Sequence, residues 1–135
     1  MKYVNLEILT PFGKYLLKDD VDLINVPSSK SVLGILPNHA PLVADVLLGI
    51  IEIVSNGERV NYSTTGGMIY VKKDKVILLL DTIEKGGEID LARAIAAKER
   101  AENRLANKNP NLDETRAKFA LSRALNRIKV AEKYR

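Results

Sequence analysis

The chain has 135 residues, 21 Lys plus Arg against 17 Asp plus Glu, and 46% hydrophobic side chains, which bounds it to one or two small globular domains and excludes disorder and collagen-like repeats. With no cysteine and a single histidine, disulfide frameworks, thiolate zinc sites, cysteine hydrolases and His-cluster metal sites are excluded too. The charge is uneven: residues 1–87 hold nine Lys/Arg and ten Asp/Glu, a net of −1, whereas residues 88–135 hold twelve against seven, a net of +5.

No apolar run approaches the roughly 20 residues a membrane span needs, and Lys2-Tyr3-Val4-Asn5 leads into alternating residues instead of a signal-peptide apolar region, so the expectation is a cytoplasm-facing protein. Val4 to Leu9 alternates partly, and Pro11-Phe12-Gly13 offers a turn before Tyr15-Leu16-Leu17, predicting an opening hairpin. Val21 to Val26 is the next strand. Ser31 to Leu42 then places Pro37 and Pro41 around His39, the only histidine. The spacing fits either a partner-contact loop or a rigid corner with His39 hydrogen-bonded locally, and a lone His without ligand companions does not signal catalysis.

Gly49 to Val54 and Arg59 to Thr64 flank Ser55-Asn56-Gly57-Glu58, where Asn-Gly supplies the positive φ angles of a tight hairpin. Gly66-Gly67 lacks the Lys-Ser/Thr of a P-loop and the spacing of a dinucleotide fingerprint, so it reads as a bulge or a close backbone approach. Met68 to Val71 and Val76 to Leu80, separated by Lys72-Lys73-Asp74-Lys75, predict another hairpin. Strands this short and frequent imply a mostly antiparallel sandwich or barrel over residues 1–85. Gly86-Gly87 then reads as a hinge.

Residues 86–135 carry the helical half of an α+β chain. A helix is expected over 91–106 behind Asp90, with Asn107-Lys108-Asn109-Pro110-Asn111 breaking it. A second helix is expected from Leu112, capped by Asn111 with Glu114 three residues on. Leu91, Ile95, Ala101 and Leu105 form an apolar stripe on the first helix. Ala117, Leu121, Ala124, Leu125, Ile128 and Ala131 form one on the second, so the two pair as an antiparallel hairpin. Arg93, Arg100 and Arg104 repeat the seven-then-four spacing of Arg116, Arg123 and Arg127, which lines each trio along one flank of its helix. Clustered guanidiniums call for a compensating anion, either a phosphate-bearing ligand or an acidic protein surface; the alternative is a solvated face with i,i+4 pairs to Glu99, Glu102 and Asp113.

The string Leu33-Gly34-Ile35-Leu36-Pro37-Asn38-His39-Ala40-Pro41-Leu42, followed by Ser63-Thr64-Thr65-Gly66-Gly67 and the Ala/Arg-rich helical tail, resembles the epsilon subunit of bacterial F-type ATP synthases over essentially the whole chain. The resemblance implies a β-sandwich of about ten strands on the central rotor stalk. Its implied partners are the gamma subunit, the ring of c subunits and, in an inhibitory state, the alpha/beta catalytic hexamer. It further implies a peripheral position on the cytoplasmic face of the membrane and no turnover of its own. Ile89-Asp90-Leu91-Ala92-Arg93-Ala94 matches the I/L-D-x-x-R-A pattern of ATP-binding, bacillus-type members, and Glu84, Arg100, Arg123 and Arg127 stand at the other matching positions.

By that resemblance Glu84, Ile89, Asp90 and Ala94 attend the adenine, and Arg93, Arg100, Arg123 and Arg127 the ribose and phosphates. ATP is then a regulatory ligand, with accompanying Mg²⁺ left open. The chain departs from many members at Ser28-Ser29-Lys30-Ser31-Val32, which lacks their acidic residue before the Leu-Gly. Two other classes compete. A nucleic-acid-binding module is suggested by the sequence pI of about 9.3, but five of the seven Phe/Tyr precede residue 71, leaving the basic tail few stacking platforms. An independent small enzyme lacks a nucleophile–base pair.

Overall fold

The computed structural model describes residues 2–29, 31–107 and 111–133. Lys30 and the helix-breaking link at Lys108-Asn109-Pro110 lie outside the described residues. The chain divides into two compact units, residues 1–85 and 86–135.

The first unit is a sandwich of eight strands among the described residues: β1 Val4–Thr10, β2 Gly13–Val21, β3 Leu23–Ser28, β4 Ser31–Ile35, β5 Leu42–Val46, β6 Gly49–Ser55, β7 Glu58–Val71 and β8 Val76–Lys85. The resemblance implies about ten strands and eight are described; Arg59–Thr64 and Met68–Val71, two strands in the sequence reading, are one strand, β7, which runs through Gly66-Gly67 without ending. β8 likewise continues past Leu80 to Lys85. The strands follow the order β2-β1-β8-β7-β6-β3-β4, with β5 on β7. All pairs are antiparallel except β1 with β8, which is parallel.

Alternation builds the core. Leu6 and Ile8, Ile24 and Val26, Ile51 and Ile53, Ile69 and Val71, and Val76, Leu78 and Leu80 sit two residues apart and are buried together. Asn56 and Gly57 take φ of 53° and 79° between β6 and β7, as the Asn-Gly pair requires.

β7 exchanges partners along its length, pairing with β6 through Thr64 and with β5 from Gly67 onward. The register shifts at Gly66 against β8, the predicted bulge. A Cβ on Gly67 would lie 2.0 Å from the Leu79 carbonyl oxygen, so the close approach leaves room for glycine alone. Displaced backbone groups find side chains here: the Thr64 hydroxyl accepts from the Gly66 amide at 3.1 Å and donates to the Thr82 carbonyl at 2.7 Å.

In the second unit a 3-10 turn, Gly86–Glu88, precedes helices α1, Leu91–Ala106, and α2, Glu114–Lys133. The second helix begins two residues later than expected. At its start Asp113 Oδ1 accepts from the Arg116 amide at 3.0 Å, so Asp113 caps the first turn. The helices pack through alanine: Ala94 and Ala101 on α1, and Ala117, Ala124 and Ala131 on α2, repeat every seven residues and are at most 3% exposed. Methyl side chains bring the axes close, which moves larger residues to the flanks. Ile95 and Leu125, expected in the stripes, are therefore 39% and 46% exposed, while Val130 joins the seam.

Candidate functional site

The arginines and Asp90 belong to the helical unit. Asp90 is the N-cap of α1: its Oδ1 accepts from the Arg93 amide at 3.1 Å and its carbonyl from the Ala94 amide at 3.0 Å. Capping uses one carboxylate oxygen, and the side chain stays exposed. Arg93 and Arg100, seven residues apart, lie exposed on one flank of α1. Neither has an ion pair among the described residues. On α2 Arg123 is exposed with its guanidinium over the Phe119 ring, 5.2 Å from the centroid, and Arg127 is half-buried. Several guanidiniums with in-plane N–H donors on accessible helix flanks form a donor set suited to a polyphosphate chain.

The remaining members differ in character. Ile89 and Ala94 are buried, at 3% and 0% exposure, so their side chains are withdrawn from solvent. Glu84 lies near the end of β8, opposite Ser63 of β7 in the sandwich unit, and is half-buried.

The Leu36–Pro41 segment has the local hydrogen bonding of His39 that the rigid-corner reading expects. The His39 amide donates to the Leu36 carbonyl at 3.2 Å, and Asn38 takes φ of 65°. His39 Nδ1 stands 2.7 Å from the Ala40 carbonyl, which only accepts, so Nδ1 carries the proton.

A second surface escaped the sequence reading. Register places Leu17 of β2, Glu7 of β1, Ile77 of β8, Tyr70 of β7 and Val43 of β5 side by side on the outward face of the sheet. Leu9, Leu79 and Met68 form the adjacent row. Leu17 and Val43 are 58% and 61% exposed, and Leu79 is 38%. Seven apolar side chains thus share one outer face around Glu7. The other layer presents polar groups outward, where Glu52 Oε1 accepts from Asn25 Nδ2 at 3.0 Å and from Arg59 Nη1 at 2.9 Å. The unbroken apolar run Val76-Ile77-Leu78-Leu79-Leu80 carried the signal, since a strand with one wet face alternates.

Comparison with known proteins agrees with both units. Residues 3–86 match the beta-sandwich domain of the ATP synthase delta/epsilon chain, and residues 88–132 match its long alpha-helix domain. The ATP synthase epsilon chain of Desulforamulus reducens is 40% identical over 131 residues, 97% of this chain and 98% of the relative. That of Bacillus licheniformis is 38% identical over 131 residues, 97% and 99% of the two chains. The fold matches a chain of the Euglena gracilis mitochondrial ATP synthase OSCP/F1/c-ring structure with a TM-score of 0.79 at 20% identity, covering 90% of this chain and 77% of that one. It also matches a chain of the Tetrahymena thermophila mitochondrial ATP synthase central stalk/c-ring structure, at 0.60 and 17% identity, over 98% of each. Sandwich and hairpin are matched in order over nearly the whole length, and the chain belongs to the ATP synthase delta/epsilon chain family.

Proposed function

We propose that this chain is the epsilon-type subunit of the central stalk of an F-type ATP synthase, a part without turnover that couples rotor to catalytic hexamer and restrains ATP hydrolysis. The observation that carries the stalk role is the outer face of Leu17, Leu9, Ile77, Leu79, Met68, Tyr70 and Val43, an apolar surface that no strand covers among the described residues, as a protein-docking face requires. Its partner in this reading is the gamma subunit, with the c ring below, on the cytoplasmic side of the membrane. Family membership does not favour the nucleic-acid alternative. Leu79→Lys with Val43→Lys places two desolvated charges in that interface, and co-purification with gamma from a reconstituted complex should be lost while the isolated chain stays folded. Undiminished co-purification would remove this face from the reading.

The helical unit is the regulatory part. Arg93, Arg100, Arg123 and Arg127 bind the phosphates of ATP, and Asp90 attends the adenine from the cap of α1. Binding holds the hairpin folded; released from nucleotide, the hairpin extends and its arginines meet acidic surface of the catalytic hexamer, which stops hydrolysis. Calorimetric titration of the full chain with ATP and with ADP, each with and without Mg²⁺, tests this. ATP should bind more tightly than ADP because its further phosphate faces the same cations, and equal affinities would refute the phosphate assignment.

A further inference from the structure

Arg123 is held by an aromatic ring and not by a carboxylate. Phe119, one helical turn earlier on α2, is 49% exposed, and the Arg123 guanidinium lies over it with Cζ 5.2 Å from the ring centroid. No carboxylate pairs with Arg123 among the described residues. The two kinds of partner have different consequences. A carboxylate occupies the in-plane N–H donors and cancels the charge, so an incoming anion must displace it. A ring attracts the cation through its π face, leaving the charge whole and the donors available at the guanidinium edge.

We infer that Phe119 is a positioning residue for Arg123, its ring restraining the guanidinium so that the in-plane donors are presented ready-ordered to the phosphate chain of the nucleotide. The inference rests on the ATP-binding reading and deepens it. Free arginine side chains lose rotamer freedom on meeting a ligand, and a side chain already restrained loses less. Phe119 touches no phosphate itself; it raises affinity through Arg123. Its apolar exposure, costly on a polar helix face, is accounted for by the same contact.

The experiment is calorimetric titration of the full chain with ATP, using Phe119→Leu, Phe119→Tyr and Phe119→Trp, each alone and with Arg123→Ala. Leucine keeps an apolar side chain and a high helix propensity, so α2 is preserved while the π face is removed. Phe119→Leu should weaken ATP about two- to fivefold, the range of an exposed cation–π contact, and Tyr or Trp should restore it. In the Arg123→Ala background the loss should vanish, because nothing remains to be positioned. The Arg123 Hδ resonances of the nucleotide-free chain should carry a ring-current shift that Phe119→Leu abolishes. ATP binding unchanged by Phe119→Leu, or a loss that persists with Arg123→Ala, overturns the inference and leaves the ATP reading standing. No ATP binding by the unsubstituted chain overturns both.

Discussion

The Asp90 carboxylate accepts a hydrogen bond from the Arg93 amide at 3.1 Å, so the residue that starts α1 also fixes the backbone of the first arginine in the proposed nucleotide set. Two roles meet in one side chain, and substitution can separate them. Asp90→Ala removes cap and charge together, costing the hairpin about 1 kcal/mol, a typical N-cap loss. Asp90→Asn keeps the capping oxygen and removes the charge. Thermal unfolding should therefore move for Ala and stay for Asn, whereas ATP affinity should fall for both. If Asn bound ATP like the parent, Asp90 would contribute only as a cap.

The proposed function gives Arg123 and Arg127 to ATP and to the inhibitory contact at once. Their combined replacement by alanine should weaken ATP binding by at least about tenfold, given charge-assisted hydrogen bonds of about 1.5–3 kcal/mol each, and should also weaken inhibition. ATP hydrolysis by the reconstituted complex, measured across ATP concentrations, reads both. Lost ATP binding with undiminished inhibition would dissolve the shared-arginine mechanism.

Gly67 admits no side chain, because its Cβ would stand 2.0 Å from the Leu79 carbonyl oxygen, an atom of the sheet backbone. Gly67→Ala should destabilise the sandwich by at least about 3 kcal/mol, measured as the denaturant midpoint of a chain ending at Lys85. Gly57→Ala meets no atom within 4 Å and strains only the turn φ of 79°, so its cost should be smaller. A reversed order would contradict the packing at the β7 bulge.

The alanine seam makes a different demand. Ala101→Leu or Ala124→Leu inserts a branched side chain between closely packed helices, an overpacking cost of about 1–3 kcal/mol. The substituted hairpin should open more readily, lowering ATP affinity and deepening inhibition at intermediate ATP, while the 1–85 sandwich is unaffected. Amide exchange along α1 and α2 checks the opening directly. Unchanged exchange would mean the seam is looser than its burial indicates.

The fold biases the protonation of Asp20. The hydrogen bond from Lys18 is the largest cause, and the Lys18 charge and the Asn56 amide add to it against partial desolvation, holding the carboxyl below its usual range. A depressed folded-state pKa means the contribution is present above the ordinary carboxylate range and is lost as pH falls through the folded value. NMR titration should place the Asp20 midpoint below that of a model aspartate, and Lys18→Met should raise it. The effect on stability should be small, since the Lys18–Asp20 pair is open to solvent.

Features fixed by neighbours in the chain were legible in the sequence. Asn56-Gly57 dictates its turn because few other residues accept two positive φ values, Asp90 and the following apolar period dictate the start of α1, and the arginine spacing follows from 3.6 residues per turn. The Asp113 cap was not legible, because Asn111 and Asp113 both have cap chemistry and the first helical residue depends on where the packed helix begins. Tertiary structure alone decided what depends on distant partners. β7 runs through Gly66-Gly67 because β8 pairs with it on both sides of the bulge, which merged two predicted strands into one. The parallel β1–β8 pair and the β5–β7 pair assemble the outer row Leu17, Ile77, Tyr70 and Val43 from four separated segments. Alternation tells which residues of one strand share a face, but only the register between strands tells which faces join into a surface.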